Sequence, residues 1–274
     1  MRLPAFLRPA LPHSVAARSV AVLWAAALLA PLAAAAVEIA GHRALYTLTL
    51  ESARGDIVGA SGTMGFEVID ACDAWAIRQR LAITVTSRDG NDIDLTSDYT
   101  TWESKDGLRM RFRLRQTTED AVVNDLAGAA TLNAIGGPGR ATYTQPVDTT
   151  QELPAGTMFP TAHTEAILKA AKEGKRFIAI PLFDGTSAEG AQDSTAAITA
   201  VAAPAATNWP ALTPLSSVRV RIAFFERSGG NQQPEYEVGM RYWENGIADQ
   251  LSMDFGDYVL AGKLTELTVP KPGC

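Results

Sequence analysis

The chain has 274 residues, 47% of them hydrophobic, enough for one large core or two small ones. It carries 24 basic and 30 acidic residues, a formal charge of −6, and only three histidines. Such a surface repels polyanions as a whole, which sets nucleic acid aside as a partner and argues against anionic membranes as a default one.

Arg2, Arg8 and Arg18 lead into the apolar stretch Val20 to Leu32, and Ala33 to Ala36 offer the small residues an export peptidase needs. Residues 1–36 therefore read as a cleaved signal peptide, and residues 37–274 as a single exported domain. Pro31 and the alanine content disfavour a retained anchor, and a lipoprotein would need a cysteine at the cleavage point. Cleavage removes three arginines and no acids, leaving 21 basic against 30 acidic residues and a charge of −9. The two cysteines, Cys72 and Cys274, are expected to pair in an oxidising compartment. The bond would close a loop of 203 residues, with an upper estimate of about 5 kcal/mol on the chain-entropy model. No Cys-x-x-Cys motif points to redox chemistry.

From Arg43 onward most of the chain alternates with period two. Residues 44–50 predict a half-buried strand, Gly55, Gly59 and Gly62 a flexible break, and residues 63–69 and 75–86 two more strands. The clearest hairpin runs from Asp92 through Asp106-Gly107 to Arg115, with a two-residue type I′ turn. Its register sets Asp98 against Arg115, Thr100 against Arg113 and Trp102 against Arg111, with Phe112 and Leu114 on the opposite, core-facing side. The stripe Arg109, Arg111, Arg113 and Arg115 is a candidate face for anionic head groups. Its plainer role is a solvated strand face neutralised by Asp92, Asp94 and Asp98.

Two strands are expected within 121–145, followed by a helix over Thr161 to Glu173 capped by Thr161 or Thr164, with Gly174 at C′. Its apolar face is narrow and made of small side chains, so the helix can lie close against a sheet or inside a curved one. Strands follow at 177–183, 194–202, 218–225, 236–243, 247–255 and 258–269, with 202–214 as a loop and Asn245-Gly246 as a hairpin turn. About a dozen strands, one helix and no repeat predict one all-β domain, a barrel or a curled antiparallel sheet.

Catalytic and metal chemistry find little support. The exported domain keeps only His42 and His163, and neither a His-Glu-x-x-His nor a Gly-x-Ser-x-Gly motif occurs. Asp184-Gly185-Thr186 reads as a turn. The spaced glycines precede a strand, so they offer no helix amides to a phosphate. No cofactor and no metal are expected. His163, near the helix start, is expected to anchor the helix to the sheet.

The corner Asp70-Ala71-Cys72-Asp73-Ala74-Trp75, the run Leu153 to Thr164, Phe183-Asp184-Gly185-Thr186, Pro234-Glu235-Tyr236-Glu237, Asn245-Gly246 and the final cysteine resemble the EipB family of periplasmic cell-envelope integrity proteins. The resemblance spans nearly the whole exported chain in order. It implies a β-spiral of about fourteen strands curling round a helix, a bond between the early and terminal cysteines, a periplasmic location, and a non-enzymatic role. Ala74 stands where that family usually has glycine, which puts the corner's geometry in question. The resemblance and the curled sheet together suggest a protein partner received on the concave face or at a sheet edge. The alternative is a carrier of lipid or lipoprotein, its apolar groove lined by Phe112, Leu114, Phe224, Tyr242 and Trp243.

Overall fold

Alternation of apolar and polar residues dominates because nearly every strand has one buried and one solvated face. The computed structural model describes residues 38–227, 233–271 and 273. Residues 1–36, expected to be a signal peptide, and Cys274 lie outside the described residues. Fourteen strands form one sheet: β1 His42–Ala53, β2 Ile57–Asp70, β3 Ala74–Ser87, β4 Asp92–Ser104, β5 Arg109–Thr118, β6 Ala121–Leu132, β7 Gly139–Gln145 and β8 Thr149–Leu153 in its first part. The second part holds β9 Phe177–Leu182, β10 Gln192–Ala202, β11 Ser217–Phe225, β12 Tyr236–Trp243, β13 Ala248–Asp254 and β14 Tyr258–Thr268. The one helix among the described residues, α1, spans Pro160–Lys172.

Strand order runs from β8 down to β1, then β14 down to β9, so the first and last strands pair at the centre and β8 and β9 are the two ends. A flat sheet of this width would hold its end strands roughly 60 Å apart at about 4.8 Å per strand. The 23 residues between them, thirteen in a helix, reach at most about 55 Å. The sheet must therefore curl. In the segment that leads from β8 to α1, the Met158 N–H donates to Pro181 O (2.9 Å) of β9 and the Phe183 N–H donates to Met158 O (3.0 Å). The sheet is curled and unclosed, and side chains of its first part also reach the segment after β9, where Tyr143 and Gln151 donate to Ser187 O and Ala188 O.

Helix α1 lies within this curl. Ile167 and Leu168 pack with Val68, Ile77, Val220 and Ile222, drawing on β2, β3 and β11. Burying each of these side chains contributes on the order of 1.5–3 kcal/mol. The helix ends in a Schellman arrangement: the Gly174 N–H donates to Ala171 O, the Lys175 N–H to Ala170 O, and Gly174 has φ 74°. Its start differs from expectation. The N-cap is Phe159, which makes no side-chain cap, and neither Thr161 nor Thr164 serves there. The Glu103 carboxylate, on β4, takes the Thr161 N–H at 2.8 Å and the Ala162 N–H at 3.0 Å. A strand residue caps the helix.

Several local expectations are corrected. The glycine-marked break is shorter than expected, because Gly59 and Gly62 lie inside β2. A Cβ on Gly62 would run into Ala82 O and come within 2.9 Å of Ile83 Cα, so close strand approach explains this glycine. At Asp106-Gly107 only Gly107 has positive φ, and its N–H donates to Ser104 O. A four-residue loop, 105–108, therefore replaces the type I′ turn. Parity survives: Asp98, Thr100 and Trp102 pair with Arg115, Arg113 and Arg111. Strand β8 was not expected, and the 202–214 stretch is less loose than its composition suggests, since Leu212 packs with Trp243 and Ile247.

The corner at Cys72 needs no glycine after Asp73. The left-handed backbone falls on Cys72 itself (φ 70°), and Ala74 is fully buried at the start of β3. Asp70 Oδ1 accepts the Cys72 N–H, Lys105 bridges Asp70 at 2.6 Å, and its ammonium sits 4.4 Å from the Trp75 ring centroid.

Candidate functional site

Because the sheet is wider than its core can fill, the inner face leaves a lumen of about 670 Å³. Inward positions of successive strands form its wall: Met64 and Phe66 of β2, Leu81 of β3, Leu114 of β5, Phe224 of β11 and Met240 of β12. The start of α1, from Pro160 to Thr164, forms one side. Exposed Glu235 and Phe255 also border the lumen, where it meets solvent.

The polar part of the wall is sparse. Gln79, Tyr99 and Leu114 follow one another across β3, β4 and β5, with Ser97 and Gln116 one step along. The Tyr99 hydroxyl donates to Asp184 O. Asp184 Oδ1 accepts from the Thr186 N–H (2.9 Å) and hydroxyl (2.7 Å), and Oδ2 from Gln192 Nε2 (2.9 Å). Burial nevertheless holds the Asp184 carboxyl above the usual range. Thr101 Oγ1, on a residue 5% exposed, is buried without a hydrogen-bond partner.

His163 links the helix to β10. Ser194 Oγ donates to Ile180 O, so the Nε2–H of His163 donates to Ser194 Oγ at 2.7 Å. Burial lowers the imidazole to a pKa of about 4, leaving it neutral near pH 7. Burial likewise lowers His42, against the opposing effect of its Nδ1 bond to Ala40 O at 2.8 Å.

Leu114, Phe224 and Tyr242 line the lumen, whereas Phe112 and Trp243 do not. Phe112 belongs to a separate aromatic cluster, 5.3 Å from Tyr143 and 5.4 Å from Phe183. Trp243 packs with Leu212 and Ile247 beneath Arg241.

The arginine stripe lies on the outer face. Its neutralising acid is not the aspartate row of β4. Arg113 and Arg115 both bridge Asp125 of β6, at 3.0 and 3.3 Å, while Asp98 turns to Arg80 and Asp92 and Asp94 accept hydroxyls of Thr86 and Thr84. Arg109 and Arg111 flank the Trp102 ring, 5.9 and 5.5 Å from its centroid. The wall residues that sequence reasoning missed, such as Gln79, Tyr99 and Thr101, carry no motif. Their only signal is period-two placement on the inward side.

The EipB-like family model matches residues 33–271. The chain is 29% identical over 259 residues to the cell envelope integrity protein EipB of Brucella abortus (strain 2308), covering 92% of this chain and 91% of that protein. A crystal structure of a beta-barrel-like protein of a domain of unknown function from Brucella abortus is similar, with TM-score 0.78 and 28% identity. That match covers 86% of this chain and all of the other.

Proposed function

Since this chain belongs to the EipB-like family, we propose that it supports cell-envelope integrity without catalysis, as an exported binding protein whose lumen holds an apolar chain. The observation that carries this proposal is the lumen itself. Its volume of about 670 Å³ falls within the range of small-molecule sites, and its wall is mainly apolar with few polar groups, as in such sites. An acyl chain or a lipoprotein anchor has the matching shape and polarity. Export to the periplasm and a Cys72–Cys274 disulfide belong to the same proposal.

Native mass spectrometry of the protein taken from its own periplasm tests it. A bound acyl-bearing species is the expected result. Protein that carries no such species and takes up none on incubation with envelope lipid extract refutes it.

A second reading, a protein partner at a sheet edge, is favoured by one feature. Strands β8 and β9 are the ends of the sheet, and Phe177 on β9 is 59% exposed. End strands offer unpaired amides and carbonyls to an added strand. A co-purifying protein displaced by Phe177→Asp is the result that would favour it.

A further inference from the structure

We infer that the lumen sorts its ligands by head-group charge, admitting single-chain amphipaths whose head donates hydrogen bonds and is uncharged or cationic, and excluding carboxylates and phosphates. The inference rests on the lumen reading above.

Its basis is the wall's inventory. Among the described residues, no lysine or arginine lines the lumen. The cations that could meet an anion, such as Arg109, Arg111 and Arg113, are exposed on the outer face of the same sheet. Strand alternation enforces the separation, because odd-numbered β5 residues point outward and even-numbered ones inward. The two histidines at the wall, His42 and His163, are both held neutral by burial.

Acceptors, by contrast, are present. Asp184 and Gln79 lie in the wall, and Glu235 stands at the mouth. The Thr101 hydroxyl, buried and unpartnered on the same wall, can donate or accept and so offers a polar contact to any head, leaving the discrimination to charge. An anion entering this space loses its hydration and finds no countercharge, whereas a hydroxyl or ammonium head finds oxygen acceptors. Charge complementarity therefore selects the head, and apolar area holds the chain.

The exported chain is tested by displacement of N-phenyl-1-naphthylamine, an uncharged fluorophore that brightens in apolar sites. The competitors are dodecyl maltoside, dodecyltrimethylammonium and dodecanoate, each below its micelle threshold at pH 7.5. Repeating the series at about 0.5 M NaCl removes attraction arising from the protein's net charge. The expected result is that maltoside and ammonium compounds displace the fluorophore at concentrations at least tenfold lower than dodecanoate, at both salt levels.

Gln79→Lys, which places a cation in the wall, should close or reverse that gap. If this variant does not fold, Glu235→Gln at the exposed mouth, which removes the charge and keeps an acceptor oxygen, should weaken the ammonium compound severalfold more than the maltoside. Dodecanoate competing as well as the other two refutes the charge rule and leaves the lumen reading standing. If neither fluorophore nor any competitor binds, the lumen reading falls and the charge rule with it.

Discussion

Replacing Glu103 tests how the helix is held in the sheet. The residue is 1% exposed, and its carboxylate accepts the Thr161 and Ala162 N–H groups at the start of α1. The helix dipole and those two bonds favour the ionised form, but burial is the larger influence and raises the pKa from 4.5 to about 7. The folded state then holds a proton that the unfolded chain has released, so this group's contribution is fully present below about pH 4.5. It is lost as the pH rises through 7. Integrating that difference from pH 5 to 7.5 gives a loss of about 2 kcal/mol for this residue alone, or roughly 4–8 °C in Tm for a domain of this size. Glu103→Gln keeps the shape and one acceptor oxygen but cannot titrate. Denaturant unfolding of both proteins at the two pH values isolates the contribution as a difference of differences, removing other groups such as Asp184. The wild type should lose about 2 kcal/mol more than the variant over that interval. Equal pH dependence in the two proteins would refute the account of a buried, titrating cap. Glu103→Ala, which leaves two buried N–H groups without an acceptor, should cost about 2–5 kcal/mol at either pH.

His163→Ala removes the bond to Ser194 and opens a cavity beside α1, so thermal unfolding should show a loss of about 2–3 kcal/mol; a fully stable variant lacking a function would instead make the imidazole a functional group. Its pKa is lowered to about 4, so its contribution is present above about pH 6.5 and lost as the pH falls through 4, opposite in sign to Glu103. Substituting His163→Gln should flatten the acid limb of the stability profile. For Gly62→Ala, the added methyl meets the β3 backbone, and a destabilisation of about 1–3 kcal/mol by chemical denaturation is expected. Cys72→Ser should lower stability by up to about 5 kcal/mol, and non-reducing peptide mapping of the wild type should recover one Cys72–Cys274 peptide pair; both thiols found free would remove that bond from the proposal.

Most strands other than β8, their parity and helix α1 were legible in the residues because each depends on neighbours two to four positions away. The pairing of Arg111 with Trp102 follows from alternation across one short loop, which explains why it held when the turn type did not. The helix end was equally local, since Gly174 supplies the left-handed residue a Schellman arrangement needs. Other features depend on contacts between distant parts of the chain. Glu103 meets the helix start 58 residues on, and nothing in its own strand distinguishes it from a solvated glutamate. Asp125, not Asp98, takes Arg113 and Arg115 because β6 is also beside β5, a choice between two neighbours that alternation cannot make. Gly62 read as a break because a missing side chain looks the same whether it frees the backbone or lets another strand approach.

The amino-acid order by itself determined an exported-looking, acidic chain of alternating strands with a helix and, through its spaced motifs, the resemblance to a family. The helix face expected to be small buries Ile167 and Leu168. Only the tertiary structure decided that the sheet curls around that helix, which residues wall the lumen, and that no lysine or arginine among the described residues lines it. Periodicity tells which side chains share a face. The curl of a fourteen-stranded sheet decides which face encloses space, and that curl is set by contacts between residues far apart in the chain.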